Sequence, residues 1–203
     1  MLDLEDYRKL VKLDEEFTIG KNLLTNQSSR AFLTNYVLGY FRSHEHELVR
    51  KAKRYLDSQE KSGERNLLYA IITMREANPL PKHILAQINH LLDVELGDKD
   101  KYGVGDLKTL EKTIPNTHFP FKHVCSLWRG DITKLKIDCI MNASNKTLQG
   151  CFIPFHKCID NAIHAKAGPQ LRWDCRNIIN KQGHMEEPGN AKITRAYNLP
   201  SDY

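Results

Sequence analysis

The chain has 203 residues, 40% of them hydrophobic and 27% charged, with a formal net charge of +5 at pH 7. That length holds one large domain or two small ones. Its apolar runs fall far short of the ~20 residues that a bilayer crossing needs, and its basic residues are interleaved with acids, not gathered into a nucleic-acid-binding patch.

The cysteines number five. An odd count, behind an acidic start (Met1–Asp6) with no basic and apolar leader, points to a reducing cytoplasm. It favours core or metal-ligating thiols over disulfides.

The first half of the chain reads as helical. Leu4, Tyr7, Leu10 and Val11 recur at helical spacing. A long apolar stripe predicts a helix over Ser29–Gln59, with Gly39 and His44–Glu47 as points of interruption. His44 and His46 are two apart and do not share a helical face, so they read as solvated surface. A third helix is predicted over Arg65–Arg75, stopped by Asn78-Pro-Leu-Pro81. A fourth runs over Pro81–Glu95, with Ile84, Leu85, Ile88, Leu91 and Leu92 on one face and Pro81 in its first turn.

Gly97–Pro120 reads as a linker with a short helix near Asp106–Lys112. Beyond it the pattern changes. His123–Leu127, Ile137–Met141 and Ala191–Tyr197 are expected as strands, Asp160–Ala167 and Pro169–Asn180 as helices. Strands alternating with helices imply an α/β sheet domain. The expected organisation is a helical region and linker over 1–117, then an α/β domain over 118–203. Cys125 and Cys139 lie in apolar runs and read as core thiols, with Leu171 and Trp173 as further core candidates.

The densest chemistry lies in Gly150-Cys-Phe-Ile-Pro-Phe-His-Lys-Cys158. Thiolates and a neutral imidazole are ligands that zinc prefers. Pro154 excludes a helix interior, and His156 and Cys158 would face opposite ways on one. A loop is therefore expected to bring Cys151, His156 and Cys158 around one ion. Three ligands with a fourth position open would mark a catalytic zinc. A structural zinc closed by Cys175 or His164 is one alternative, and buried thiols without metal are another.

Around that loop stand Leu127-Trp-Arg-Gly-Asp-Ile-Thr133, Ile137-Asp-Cys-Ile-Met-Asn-Ala-Ser-Asn145, Ile159-Asp-Asn-Ala-Ile-His164 and Gly189-Asn-Ala-Lys-Ile-Thr-Arg-Ala-Tyr-Asn-Leu-Pro200. In this order the segments resemble the macrodomain, in particular its zinc-containing protein-ADP-ribose hydrolase branch. The resemblance is close from Leu127 to Tyr203 and looser over Arg65–Glu95. It implies a three-layer α/β/α fold, incomplete at its C-terminus, because no glycine-rich diphosphate loop follows Gly150. An oligomeric or aggregation-prone chain with weak ADP-ribose binding is the corresponding expectation.

The resemblance also implies residue roles. Asp131 would accept from the adenine amino group, with the Ile132 amide assisting. Asn145 would contact the distal ribose. Cys151 and Ile159 would line the ADP-ribose site. Asp160 would activate water or hold the ribose hydroxyls. Bland readings stand beside these: Asp131 as a turn cap, Asp160 as a helix N-cap, and Asn142 and His164 as structural residues. The implied activity is zinc-dependent removal of mono-ADP-ribose from modified proteins, with a lipoyl-carrier protein as the implied target. The alternatives are an ADP-ribose reader without catalysis and an inactive zinc-binding protein.

Overall fold

In the computed structural model, residues 2–19, 29–97 and 101–203 are described. Residues 98–100, at the start of the expected linker, lie outside them. The helical first half follows its periodicity. Helix α1 (Leu4–Tyr7) is short. Helix α2 (Arg30–His44) is capped by the Ser29 hydroxyl, which accepts from the Phe32 amide at 3.2 Å. Helix α3 (His46–Ser58) follows after a break at Glu45, where φ is −131° and ψ is 51°. The single long helix is thus two. The break falls within the anticipated His44–Glu47 stretch, and Gly39 does not interrupt α2. At the break the Glu45 carboxylate accepts from Arg75 Nε at 2.9 Å, a half-buried pair that offsets the lost helical bonds.

Helices α4 (Glu64–Met74) and α5 (Lys82–Gly97) complete this layer. Leu33, Val37, Leu38 and Phe41 of α2 meet Leu68 and Ile71 of α4 and Ile84, Ile88 and Leu91 of α5 in one buried cluster. Burying each such side chain fully contributes about 1.5–3 kcal/mol.

The second half is less regular. Strands β1 (Tyr102–Gly103) and β2 (Leu135–Lys136) pair in parallel, Tyr102 opposite Leu135. Helices α6 (Leu110–Thr113), α7 (Ile159–Ala167) and α8 (Pro169–Gln182) follow in chain order. Gly168, at φ +95°, makes the corner between α7 and α8, and Pro169 opens α8. The turn after α1 docks on this half, Tyr7, Val11 and Leu13 closing over Ile178 of α8.

Several expectations are corrected. None of the three anticipated strands forms. In His123–Leu127 the Val124 and Cys125 amides both donate back to the Phe121 carbonyl, at 3.0 and 2.9 Å, so the run is a turn. Its Val124 and Leu127 stay 68% and 79% exposed. Among the described residues the backbone of Ile137–Met141 bonds to Asp202 and Tyr203: the Tyr203 amide donates to Asp138 and the Ile140 amide to Tyr203, each at 2.9 Å. In Ala191–Tyr197 the Ile193 amide is taken by the Tyr7 hydroxyl at 2.9 Å. Strand-prone residues become a strand when neighbours supply a ladder, and these segments bond to turns, side chains or two residues of chain.

The linker reading also missed β1. Its expected helix starts late, at Leu110, because Asp106 accepts from the Gly103 amide at 2.8 Å and closes a tight turn first. Cys139 is exposed and Cys125 half-buried, so neither is a core thiol. Among the described residues no helix is long and apolar enough to cross a membrane.

Candidate metal and catalytic site

The loop between Gly150 and α7 is built by backbone turns. Gly150 adopts φ +80°, and a Cβ there would lie 2.6 Å from the His164 ring, so the close approach requires glycine. The His156 amide donates to the Ile153 carbonyl at 3.2 Å and the Cys158 amide to the His156 carbonyl at 2.9 Å. Pro154 is fully buried beneath the loop. Cys158 is the N-cap of α7, its sulfur accepting from the Asn161 amide at 3.3 Å.

These turns bring the Cys151 sulfur, a His156 ring nitrogen and the Cys158 sulfur within 4.8 Å of one another. The Cys151 sulfur lies 3.6 Å from His156 Nδ1. Donors around a tetrahedral zinc, with bonds of about 2.0–2.3 Å, sit roughly 3.3–3.8 Å apart. The cluster therefore fits such an ion after a small contraction, and its two sulfurs and one nitrogen suit zinc chemically. Among the described residues no fourth His, Cys, Asp or Glu joins the group. Cys175 is buried, and burial pushes its thiol up to about 12. Burial also raises the Cys158 thiol, with nearby Cys151 adding to the effect and the Asn161 amide opposing it. A bound cation would reverse the repulsion between the two sulfurs.

Asp160 opens the first turn of α7 beside this cluster and is buried. Its Oδ1 accepts from Asn142 Nδ2 at 2.8 Å. Burial raises the carboxyl above its usual range, against the pull of the Asn142 bond and the Arg172 charge. His164 Nε2 approaches Asp160 Oδ1 at 3.5 Å. Burial, reinforced by the Arg172 charge, lowers His164 to about 3, so at neutral pH this approach is not an ion pair.

The remaining predicted residues occupy separate loops. Asp131 Oδ1 accepts from the Thr133 amide at 3.0 Å and its hydroxyl at 2.6 Å, capping the 3-10 turn Ile132–Lys134. Half-buried Ile132 packs against the cluster of Ile163, Leu171 and Tyr197. Asn145 shapes its own loop, Oδ1 accepting from Thr147 and Nδ2 donating to the Gly150 carbonyl at 3.0 Å. Ile159 is exposed at the start of α7.

Some contributors to the site carried no recognised signal. Asn142, read as loop-shaping, holds the Asp160 carboxylate. Asn161 is buried and reaches back across the loop, donating from Nδ2 to the Ile153 carbonyl at 2.7 Å. Tyr69 of α4 donates its hydroxyl to Asn161 Oδ1 and stacks on Phe155. Arg172 of α8 reaches both the loop and α4. The bonds to Arg172 fall on backbone carbonyls, which leave no trace in residue identity.

Comparison with known proteins bears on the same segment. Residues 141–203 match the macro domain. Asn142, Asn145, the Cys-His-Cys loop and Asp160 all lie inside the matched stretch, and Asp131 and Ile132 lie before it. A protein-ADP-ribose hydrolase of Staphylococcus aureus (strain MSSA476) is 44% identical over 137 residues, covering 68% of this chain and 47% of that protein. A protein-ADP-ribose hydrolase of Treponema medium is 34% identical over 183 residues, covering 89% and 63%. A probable bifunctional ADP-ribose hydrolase/ADP-ribosyltransferase of Fusarium oxysporum f. sp. cubense is 49% identical over 74 residues, covering 36% and 12%. The chain spans about half the length of the Staphylococcus relative and less than two thirds of the Treponema one. The two longer matches exceed the 203 − 117 = 86 residues from His118 to Tyr203, so they extend into the preceding part of the chain.

Proposed function

We propose that this chain carries part of a protein-ADP-ribose hydrolase, which breaks the glycosidic bond between ADP-ribose and a modified protein side chain. The observation that carries the reading is the Cys151–His156–Cys158 cluster placed directly before a buried, hydrogen-bonded Asp160 at the start of α7. A reader of ADP-ribose needs neither. The names of the Staphylococcus and Treponema relatives support the same reaction class. In this reading residues 118–203 form the first part of a three-layer α/β/α macro domain, and residues 1–117 form a helical region and linker that pack against it. The modified substrate would be a mono-ADP-ribosylated protein, such as a lipoyl-carrier protein, in a reducing cytoplasm.

The geometry supports the metal-loop and Asp160 roles, and the family resemblance suggests the nucleotide-lining ones. Cys151, His156 and Cys158 would hold zinc, which when bound supplies a Lewis acid to polarise a substrate or water oxygen. Asn142 fixes the Asp160 carboxylate through Oδ1, which directs Oδ2 to accept the proton of the water attacking the anomeric carbon. As that carbon takes the water oxygen, the bond to the acceptor side chain breaks, and the proton held by Asp160 is returned to the departing oxygen or nitrogen, directly or through water. The amino end of α7 offers its dipole to the diphosphate. Asp131, Ile132, Asn145, Cys151 and Ile159 would line the nucleotide path, Asp131 and Asn145 exchanging their local turn bonds for adenine and ribose.

The test is direct. Protein carrying mono-ADP-ribose is incubated with a zinc-loaded form of the chain completed to the length of its relatives, and free ADP-ribose is measured. Release is expected, and Asp160→Asn should lower its rate by about 10²-fold with little change in nucleotide affinity. Retention of ADP-ribose by the treated protein would contradict the hydrolase reading, and an unaltered rate in the variant would remove Asp160 from the chemistry.

A further inference from the structure

The Cys-His-Cys loop is held by groups far from it in sequence. Arg172, 6% exposed on α8, makes five bonds to backbone carbonyls. Two go to the start of the loop: Nε donates to Gln149 at 2.7 Å and Nη2 to Cys151 at 3.3 Å. Three go from Nη1 to the end of α4: Ile72 at 3.2 Å, Thr73 at 2.9 Å and Arg75 at 2.7 Å. The last carbonyls of a helix have no intrahelical partner, and a cation there is favoured by the dipole. The Phe152 ring lies 4.3 Å from the same guanidinium.

The other end of the loop is tied to the same helix. Tyr69 donates to Asn161 Oδ1; Asn161 Nδ2 donates to the Ile153 carbonyl, and its backbone amide to the Cys158 sulfur. Tyr55 of α3 donates to the Pro154 carbonyl at 2.9 Å. The first and last ligand of the cluster are thus each one side chain away from α4.

We propose that Arg172 and the Tyr69–Asn161 pair are positioning residues, through which the helical region sets the separation of Cys151 and Cys158 and hence the metal affinity of the loop. The proposal rests on the zinc reading above and adds to it where the loop's geometry is determined. A purely structural contact would hold the two layers together anywhere along their interface. These contacts instead bracket the ligands: Arg172 donates to the carbonyl of Cys151 itself, and Tyr69 fixes the Asn161 side chain on the Ile153 carbonyl, on the residue whose backbone amide donates to the sulfur of Cys158. Partners that orient metal ligands in this way typically contribute 10–100-fold in metal affinity.

The experiment uses cobalt(II) as a spectroscopic stand-in for zinc, added to the reduced, metal-free full chain. Wild type is compared with Arg172→Lys, which keeps the charge but not the planar fork. The milder Tyr69→Phe keeps the ring stack on Phe155 and loses the hydroxyl. Chelator competition gives affinity, visible spectra at saturation report ligand geometry, and melts of the metal-free protein report stability. Arg172→Lys should weaken binding by about 10–100-fold and alter the visible bands. Tyr69→Phe should weaken it by a few fold to about 10-fold, with the metal-free melt little changed. Wild-type affinity and spectra in Tyr69→Phe, and in Arg172→Lys where it folds, would overturn the proposal.

A second readout separates this proposal from the zinc reading. If wild type shows no thiolate–cobalt bands, the zinc reading fails, and alkylation rates of Cys151 and Cys158 in metal-free protein decide the positioning claim. Faster alkylation in the variants would uphold it, and unchanged rates would overturn it.

Discussion

The helical region α2–α5 and the segment from Gly150 to Gln182 are built on different principles. In the first, apolar side chains at helical spacing meet in one cluster, and most of them are fully buried. In the second, α7 and α8 also bury Ile163, Ala167, Leu171 and Ile178, but the loop before them is held by polar side chains that fix its carbonyls and a carboxylate one bond at a time. The contrast separates two tasks. Dispersed apolar packing tolerates small shifts and supplies stability, whereas single directional bonds fix atoms to within tenths of an ångström, as ligand clusters need. The two regions meet where α4 ends, at Arg172.

Breaking the first region should give the largest change in stability. Phe41 is fully buried at the centre of the helical cluster. Phe41→Ala should cost about 3–5 kcal/mol, read by denaturant unfolding. A loss below about 1 kcal/mol would mean that the helical region is not the stability core. Gly150→Ala probes the boundary between packing and precision. Its Cβ would meet the His164 ring at 2.6 Å, on a backbone at φ +80°. The cost should be about 1–3 kcal/mol, accompanied by weaker metal binding. Unchanged stability would show that the loop relaxes freely around His164.

The first region was legible in the sequence because its information is local. Periodicity located each helix, and the expected starts at Ser29 and Pro81 lie within a residue of the observed starts. The ligand set was legible too, since Cys151, His156 and Cys158 fall within eight residues with Pro154 between them. What was not legible depends on distant partners. The strands at 123–127, 137–141 and 191–197 were inferred from residue type, but a strand is defined by its neighbour. Arg172 looked like any helical arginine, although three of its partners lie 97–100 residues away. Asn142 was read as shaping a loop, because nothing local signals an aspartate 18 residues on.

A subtler effect sharpens the contrast within the second half. Asp174 is buried against Tyr197, whose hydroxyl donates to it. Burial lifts its carboxyl from 3.8 to about 6. The folded chain therefore keeps a proton that the unfolded chain releases across this window. The stability that Asp174 contributes is full below its unfolded pKa and is lost as pH rises through about 6. Asp174→Asn keeps the acceptor oxygen for Tyr197 and removes the titration. Melts at pH 4 and pH 7 should show the variant gaining on wild type as pH rises. A constant difference between the two proteins would contradict the assignment.

The central claim is that the loop before α7 is a metal site made by Cys151, His156 and Cys158. Metal analysis of protein purified without added zinc tests it most directly, with the Cys151→Ser, Cys158→Ser double variant alongside. About one zinc per chain is expected in wild type, from a single three-ligand cluster, and almost none in the variant. Equal zinc in both proteins, or none in either, would contradict the account.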